Sequence, residues 1–190
     1  MNSDATTRTI VITGARAGVG AAAARRLAQE GARVVVVGRD PRRTNAVADE
    51  LDAERHVADF TKLSEVHDLA DELGKLDRID VLANNAGGVF GERALTEDGF
   101  ERTFQVNHLA GFLLTHKLLP KLIASKASVI QTSSMASYGG KIDLADLQLE
   151  KGWSGWKSYN NAKLANVLFT KGLHKHHVLD GVHSAAFHPG

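Results

Sequence analysis

The sequence predicts an α/β protein: one doubly wound parallel sheet with helices on both faces, in a single domain over residues 1–190. Three observations predict it. Short apolar runs alternate with longer amphipathic segments along the whole chain. The run Arg33-Val34-Val35-Val36-Val37 is continuous and β-branched, as a strand buried on both faces must be. A glycine-rich turn follows the first apolar run directly and opens an alanine-rich helix.

The elements follow in order. The predicted strands are 9–13, 32–37, 55–58, 79–83, 127–132 and 182–187. The segments between them have the length that a right-handed crossover requires. Asp40-Pro41 reads as an N-cap followed by Pro at the first helical position. Thr96 is placed to cap a helix carrying Phe100, Phe104 and Leu109, with helical pattern over 97–124. A second long helical pattern covers 158–177. Between them, 138–157 is irregular and holds four glycines and both tryptophans. No repeat, low-complexity tract or linker divides the chain.

Composition narrows the function classes. Apolar residues make up 43%, which favours a folded globular protein. A net charge of +1 argues against a general electrostatic grip on nucleic acid or an anionic membrane. The chain has no cysteine, which excludes disulfides and thiolate metal sites and fits a cytoplasmic location. The polar start, residues 1–9, lacks the apolar core of a signal peptide. No stretch is apolar and long enough to span a bilayer. His174, His176 and His177 cluster near a helix end; a metal site and ordinary polar helix-end residues both fit them, and the second is the commoner arrangement.

The glycine turn carries the first functional signal. In Thr13-Gly14-Ala15-Arg16-Ala17-Gly18-Val19-Gly20 the glycines do not follow GxGxxG spacing, but the physical demand is the same. A tight turn, a close backbone approach to pyrophosphate and close helix–sheet packing all favour Gly. The following helix offers unpaired N–H groups and partial positive charge to phosphates. No Gly-Lys-Ser/Thr follows, so a P-loop is not indicated. A flexible loop with chance glycines is the alternative.

This segment resembles the TGxxxGxG motif of the short-chain dehydrogenase/reductases, a Rossmann-type family. Asn84-Asn85-Ala86-Gly87 is similar to that family's NNAG motif, and Tyr159-Asn160-Asn161-Ala162-Lys163 to its YxxxK motif. Ser133-Ser134, Asn107 and His188-Pro189-Gly190 fall where the family has its serine, its helical asparagine and its PG. The long gap from Ser134 to Tyr159, with Asp143-Leu144-Ala145-Asp146-Leu147, resembles the subset similar to retinol dehydrogenases, although the chain shows none of their N-terminal anchor. Family members continue past Gly190 with a substrate lid, so the chain reads as truncated after the sixth strand, with the lid segment absent.

The resemblance implies an enzyme that moves a hydride between nicotinamide and a carbonyl or alcohol. Tyr159 and Lys163, four apart, share one helix face. A nearby ammonium lowers a phenol's proton affinity, which suits Tyr159 to general acid–base work. By resemblance, Lys163 also holds the nicotinamide ribose, Ser134 orients the reacting oxygen, and Asn107 kinks its helix and holds a relay water. Ser133 and Ser137 compete with Ser134. The cofactor contacts implied are Gly14, Arg16, Gly18, Val19, Gly20, Arg39, Asp59, Phe60, Asn85, Ala86, Gly87, Tyr159, Lys163, Pro189 and Gly190. Asp59 could instead serve a turn or helix start.

NAD-preferring relatives place an acid at the end of the second strand. Here Gly38 stands there, followed by Arg39, whose guanidinium pairs well with a 2′-phosphate. NADP is therefore favoured and NAD remains possible through Asp40. Arg16 departs from the NADP-type pattern, where the basic residue directly precedes the second glycine; that residue here is Ala17. Alternatives are a non-catalytic nucleotide-binding sensor or scaffold, and a reductase of carbon–carbon double bonds. The partner expected is a small-molecule carbonyl or alcohol, with neither nucleic acid nor membrane. A homodimer or homotetramer is expected through the helices of 97–124 and 158–177. Their apolar stripes hold Leu109, Phe112, Leu113 and Leu164, Val167, Leu168, with Leu114, Leu118 and Phe169 suggesting a second buried face.

Overall fold

A computed structural model describes residues 7–190; the reading of the polar start falls mostly on residues 1–6, outside the described residues. Six strands form one sheet: β1 (Thr9–Thr13), β2 (Arg33–Gly38), β3 (Glu54–Val57), β4 (Val81–Asn84), β5 (Ser128–Thr132) and β6 (His183–Phe187). Their order is β3-β2-β1-β4-β5-β6 and every pairing is parallel. Each strand lies within two residues of its sequence-predicted bounds. Ile10 faces Val34 on one side and Val81 on the other. Strand order therefore reverses between β1 and β4, which opens a crevice outside their carboxyl ends.

The helices are α1 (Gly18–Gln29), α2 (Pro41–Leu51), α3 (Leu63–Leu73), α4 (Arg102–Phe104), α5 (Ala110–Ala124) and α6 (Gly155–His177). A π turn, Gln105–Leu109, joins α4 to α5, and a 3-10 turn, Met135–Gly139, follows β5. α1 and α2 cover one face of the sheet, burying Ala21, Ala24, Val47 and Ala48 against Ile10, Ile12, Val34 and Val36. α3, α5 and α6 cover the other, where Val66, Leu69, Leu114, Leu118 and Leu173 meet Val11, Val35 and Val129. Each such valine, leucine or isoleucine side chain stabilises the fold by about 1.5–3 kcal/mol relative to exposure. The α1/α2 layer lies over β1, β2 and their neighbours, so on that face of β6 Ala185 and Phe187 are exposed.

Local chemistry explains most boundaries and corrects some expectations. Asp40 caps α2 by accepting from the Arg43 N–H at 2.9 Å, with Pro41 at the first position. Thr96 does not cap a helix. Its N–H and carbonyl close a turn with Phe100 and Gly99, and Phe100 precedes the helix instead of lying on it. Glu101 is the cap, accepting from the N–H groups of Thr103 and Phe104. A carboxylate satisfies two orphan donors at once, which a hydroxyl cannot do as well. The second long helix begins at Gly155, three residues earlier than its apolar pattern, because Ser154 caps it through the Lys157 N–H. Leu114 and Leu118 also fall elsewhere than expected. They face the sheet in the core, while Phe112 and Leu168 point outward and are exposed.

Candidate active site

The crevice is built where β1 meets β4. Thr13 Oγ1 accepts from the N–H groups of Asn85 and Ala86, both at 3.0 Å, and donates to the Ala83 carbonyl. The Asn85 amide donates to the Thr13 carbonyl at 2.9 Å and accepts from Thr132 Oγ1 at 3.2 Å. One asparagine thereby ties the ends of β1, β4 and β5 together. Gly20 permits this packing: a Cβ there would stand 2.5 Å from Asn85 Nδ2 and 2.7 Å from the Gly14 carbonyl oxygen.

A cavity of about 480 Å³ fills the crevice. Its walls include Gly14, Arg16, Gly18, Val19, Gly20, Arg39, Asp59, Phe60, Asn85, Ala86 and Gly87, eleven residues that the sequence singled out for a cofactor. Gly38 lines it too, and so do Gly88, Val89, Phe90 and Val106, which carried no sequence signal. α1 starts at this wall with Ala17 as its N-cap and no side-chain cap, so its first N–H groups face the cavity region uncapped by side chains. The Asp59 carboxylate closes a local turn by accepting from the Thr61 N–H at 3.0 Å, and Asp59 also lines the cavity.

At the far end of the cavity, Gly38 ends β2. A Cβ on it would lie 2.4 Å from Thr44 Oγ1 and 3.0 Å from Arg16 Cβ, so the acid of NAD-type relatives cannot stand there without displacing both. Arg39 is exposed and Arg16 half-buried, and both line the cavity. Asp40 is held below the usual carboxylate range chiefly by its cap hydrogen bond from Arg43.

The other predicted residues stand at the opposite end, outside that cavity wall but in contact with it. Lys163 is buried, and its Nζ donates to the Thr132 carbonyl at 2.8 Å. A methyl group on Gly87 would lie 3.4 Å from Lys163 Nζ and 2.5 Å from Asn107 Oδ1, so both touch the cavity wall from behind. Burial lowers the Lys163 ammonium from 10.5 to about 8. Its Nζ sits 5.3 Å from the centre of the half-buried Tyr159 ring. Asn107 lies in the π turn, a wide turn that re-aims a side chain. Its amide donates to the carbonyls of Gly88 and Thr103, each at 2.9 Å, and its Oδ1 accepts from the Gly88 N–H. Asn166 of α6 donates to the Asn107 main-chain carbonyl at 3.0 Å.

The two adjacent serines separate cleanly. Ser133 is buried and its Oγ donates to the Lys163 carbonyl at 2.9 Å. Ser134 is half-buried; its Oγ accepts from the Ala136 N–H at 3.2 Å and keeps its own proton to donate. Ser137 lies within the 3-10 turn. Pro189 and Gly190 follow β6, are exposed, and do not line the cavity. Of the histidines, His177 Nδ1 lies 2.9 Å from Asp180, and no group of three metal-ligating residues forms among the described residues.

Two buried polar residues at the site went unread in the sequence. Gln105 is fully buried; its amide donates to the Phe60 carbonyl and to Asp98, and it accepts from Thr96 Oγ1. Glu101 is equally buried. The available signal was a polar residue at a position whose neighbours, Phe104 and Val106, are apolar and inward.

Residues 8–190 match the family described as short chain dehydrogenase. Among curated proteins, a candidate daunorubicin C-13 ketoreductase, DnrU of Streptomyces sp. (strain C5), is 46% identical over 171 residues, covering 85% of this chain and 58% of its own length. Retinol dehydrogenase 12 of Homo sapiens is 40% identical over 198 residues, covering 96% of this chain and 61% of its own length. The chain thus spans 58–61% of the length of these relatives. A short-chain dehydrogenase from Sphingobium yanoikuyae, solved with NADPH, superposes with a TM-score of 0.78 at 26% identity, over 94% of this chain and 69% of that one.

Proposed function

The chain belongs to the short-chain dehydrogenase family, and from that premise we propose that it is an NADP(H)-preferring oxidoreductase acting between a carbonyl and its alcohol. One observation carries the reading: the buried Lys163 ammonium lies 5.3 Å from the Tyr159 ring centre and against Gly87, in the wall of the 480 Å³ cavity. An acid–base pair set directly behind the wall of a crevice at the switch point of the sheet is the arrangement hydride transfer needs.

The residues fit the cofactor. The uncapped start of α1 suits the pyrophosphate. Arg39, with Arg16, suits a 2′-phosphate, and the crowding at Gly38 disfavours an acid there. Asp59 and Phe60 would face the adenine, and Asn85, Ala86 and Gly87 the central part. Tyr159 and Lys163 would hold the nicotinamide ribose, with Pro189 and Gly190 near the ring. The neighbour from Sphingobium yanoikuyae was solved with NADPH, which supports the same choice here. When bound, the nicotinamide supplies or accepts the hydride.

The chain's own groups then handle the proton and the oxygen. Ser134 Oγ–H donates to the substrate oxygen and holds it beside Tyr159. The Tyr159 hydroxyl gives its proton to that oxygen in reduction and takes it back in oxidation. Lys163, whose ammonium is lowered by burial to about 8, stands beside the Tyr159 ring with its Nζ 5.3 Å from the ring centre. Asn107, fixed by Gly88 and Thr103, holds the relay water toward Lys163. Exposed Met135 and Trp156, next to Ser134 and Tyr159, support an apolar substrate.

A cytoplasmic location and a closed homo-oligomer belong to the same proposal. No helix among the described residues is long and apolar enough to cross a membrane. The outward Phe112 and Leu168 support an α5/α6 subunit interface. Tyr159→Phe in the full-length protein tests the enzymatic reading: turnover falls by about 10²–10⁴ while NADPH still binds. Near-normal turnover would remove Tyr159 from the mechanism.

A further inference from the structure

Glu101 is 1% exposed, yet it is a carboxylate with four hydrogen-bond donors aimed at it. Its Oε1 accepts from the Thr103 N–H at 3.1 Å and from Trp153 Nε1 at 3.2 Å. Its Oε2 accepts from the Phe104 N–H at 2.8 Å and from Ser158 Oγ at 2.6 Å. Its own main-chain N–H donates to Gln148 Oε1 at 2.7 Å. Three separate parts of the chain therefore meet at one side chain: the start of the helical segment bearing Asn107, the irregular segment before α6, and the first turn of α6.

Ser158 directly precedes Tyr159. One turn further along, α6 is fixed by Ser133, whose hydroxyl donates to the Lys163 carbonyl. That contact places Lys163 but leaves the first turn of α6 to be held from elsewhere. The Lys141 N–H reaches Asn161 Oδ1 at 2.8 Å, again on the far side of Tyr159. On the N-terminal side of Tyr159, long-range side-chain hydrogen bonds run from Ser158 and Trp153, both to Glu101.

The chemistry calls for a carboxylate. The Thr103 and Phe104 N–H groups and Trp153 Nε1–H can only donate. Each carboxylate oxygen faces at least one of them. A glutamine amide would turn its NH₂ toward one such donor in either orientation and leave a buried clash.

Resting on the catalytic role of Tyr159 given above, we propose that Glu101 is a positioning residue: through Ser158 and Trp153 it locks the Tyr159-bearing first turn of α6, and the segment before it, onto the helical unit that carries Asn107. Loss of the lock moves the Tyr159 hydroxyl relative to Lys163 and leaves the cofactor cavity intact, since Glu101, Trp153 and Ser158 do not line it.

The test uses the full-length protein with Glu101→Gln, Ser158→Ala and the double variant. Hydrogen–deuterium exchange of residues 155–161 should quicken by about ten- to hundredfold in each single variant, the size of a lost hydrogen bond to a charged group. For carbonyl reduction with NADPH, kcat should fall about tenfold or more and the pH at which the rate declines should move, with the NADPH Kd rising by much less than kcat falls. The double variant should lose no more than Glu101→Gln alone, because both act on one contact. Should Glu101→Gln fail to fold, Ser158→Ala with Trp153→Phe decides by the same readouts. Wild-type exchange in Ser158→Ala overturns the proposal, as does a kcat loss matched by an equal loss of NADPH affinity with an unmoved pH profile. If the wild type turns over no carbonyl, the catalytic reading fails, and the exchange rates still decide whether Glu101 holds the turn.

Discussion

Arg39→Ala offers the clearest test of cofactor choice. Arg39 lines the cavity directly after Gly38, where the crowding by Thr44 and Arg16 leaves no room for an acid. A 2′-phosphate there would meet the Arg39 guanidinium. A charge-assisted hydrogen bond contributes about 1.5–3 kcal/mol, and Arg39 is exposed, so solvent screening puts the effect near the lower end. At about 1.5 kcal/mol the NADPH Kd rises roughly tenfold while the NADH Kd barely changes. Arg16→Ala together with Arg39→Ala should approach roughly a hundredfold if both guanidiniums reach the phosphate. Titration of each cofactor against the full-length protein, at low and at high salt, reads both constants. The preference should shrink as salt rises. Equal losses for NADPH and NADH, or a salt-independent ratio, would refute the placement of the phosphate at Arg39.

Three further outcomes follow from the geometry. Gly20→Ala drives a methyl group into Asn85 Nδ2 and two main-chain neighbours; overpacking of about 1–3 kcal/mol should lower Tm by several degrees and weaken NADPH binding, and an unchanged Tm would contradict the packing described. Lys163 has its proton affinity lowered to about 8 when folded against 10.5 when unfolded, so the unfolded chain binds more protons between those values. Stability should therefore rise with pH across about 8 to 10.5, by on the order of 3 kcal/mol, and Lys163→Met should lose that rise in denaturant titrations. Light scattering over a wide concentration range should give a closed dimer or tetramer that Phe112→Asp weakens; a strictly monomeric, active wild type would remove the α5/α6 interface.

Much of the fold was legible because it rests on local, one-dimensional signals. The β-branched run 33–37 and the Asp40-Pro41 cap declared β2 and α2 without reference to anything distant. The glycine turn was legible for the same reason, and the cavity collects its residues. What failed depended on contacts remote in sequence. Thr96 looked like a cap because hydroxyls cap helices, but Glu101 takes the place, since it also receives Trp153 and Ser158 from more than fifty residues away. Leu114 and Leu118 could not be assigned to a face until α5 was docked on the sheet. Ser133 and Ser134 are indistinguishable as letters; the strand's alternation turns the first toward α6 and leaves the second at the turn. The close approach of Gly38 to Thr44 is likewise a matter of how α2 packs.

The most direct test of hydride transfer follows the hydride itself. Full-length protein is incubated with NADPH deuterated at the transferable position and a panel of apolar ketones and aldehydes, and the products are examined by mass spectrometry and NMR. One deuterium is expected on the new carbinol carbon, formed from a single face, and with Tyr159→Phe under the same conditions about 10²–10⁴-fold slower labelling. Deuterium on a reduced carbon–carbon bond, or undiminished carbinol labelling with Tyr159→Phe, would contradict that expectation.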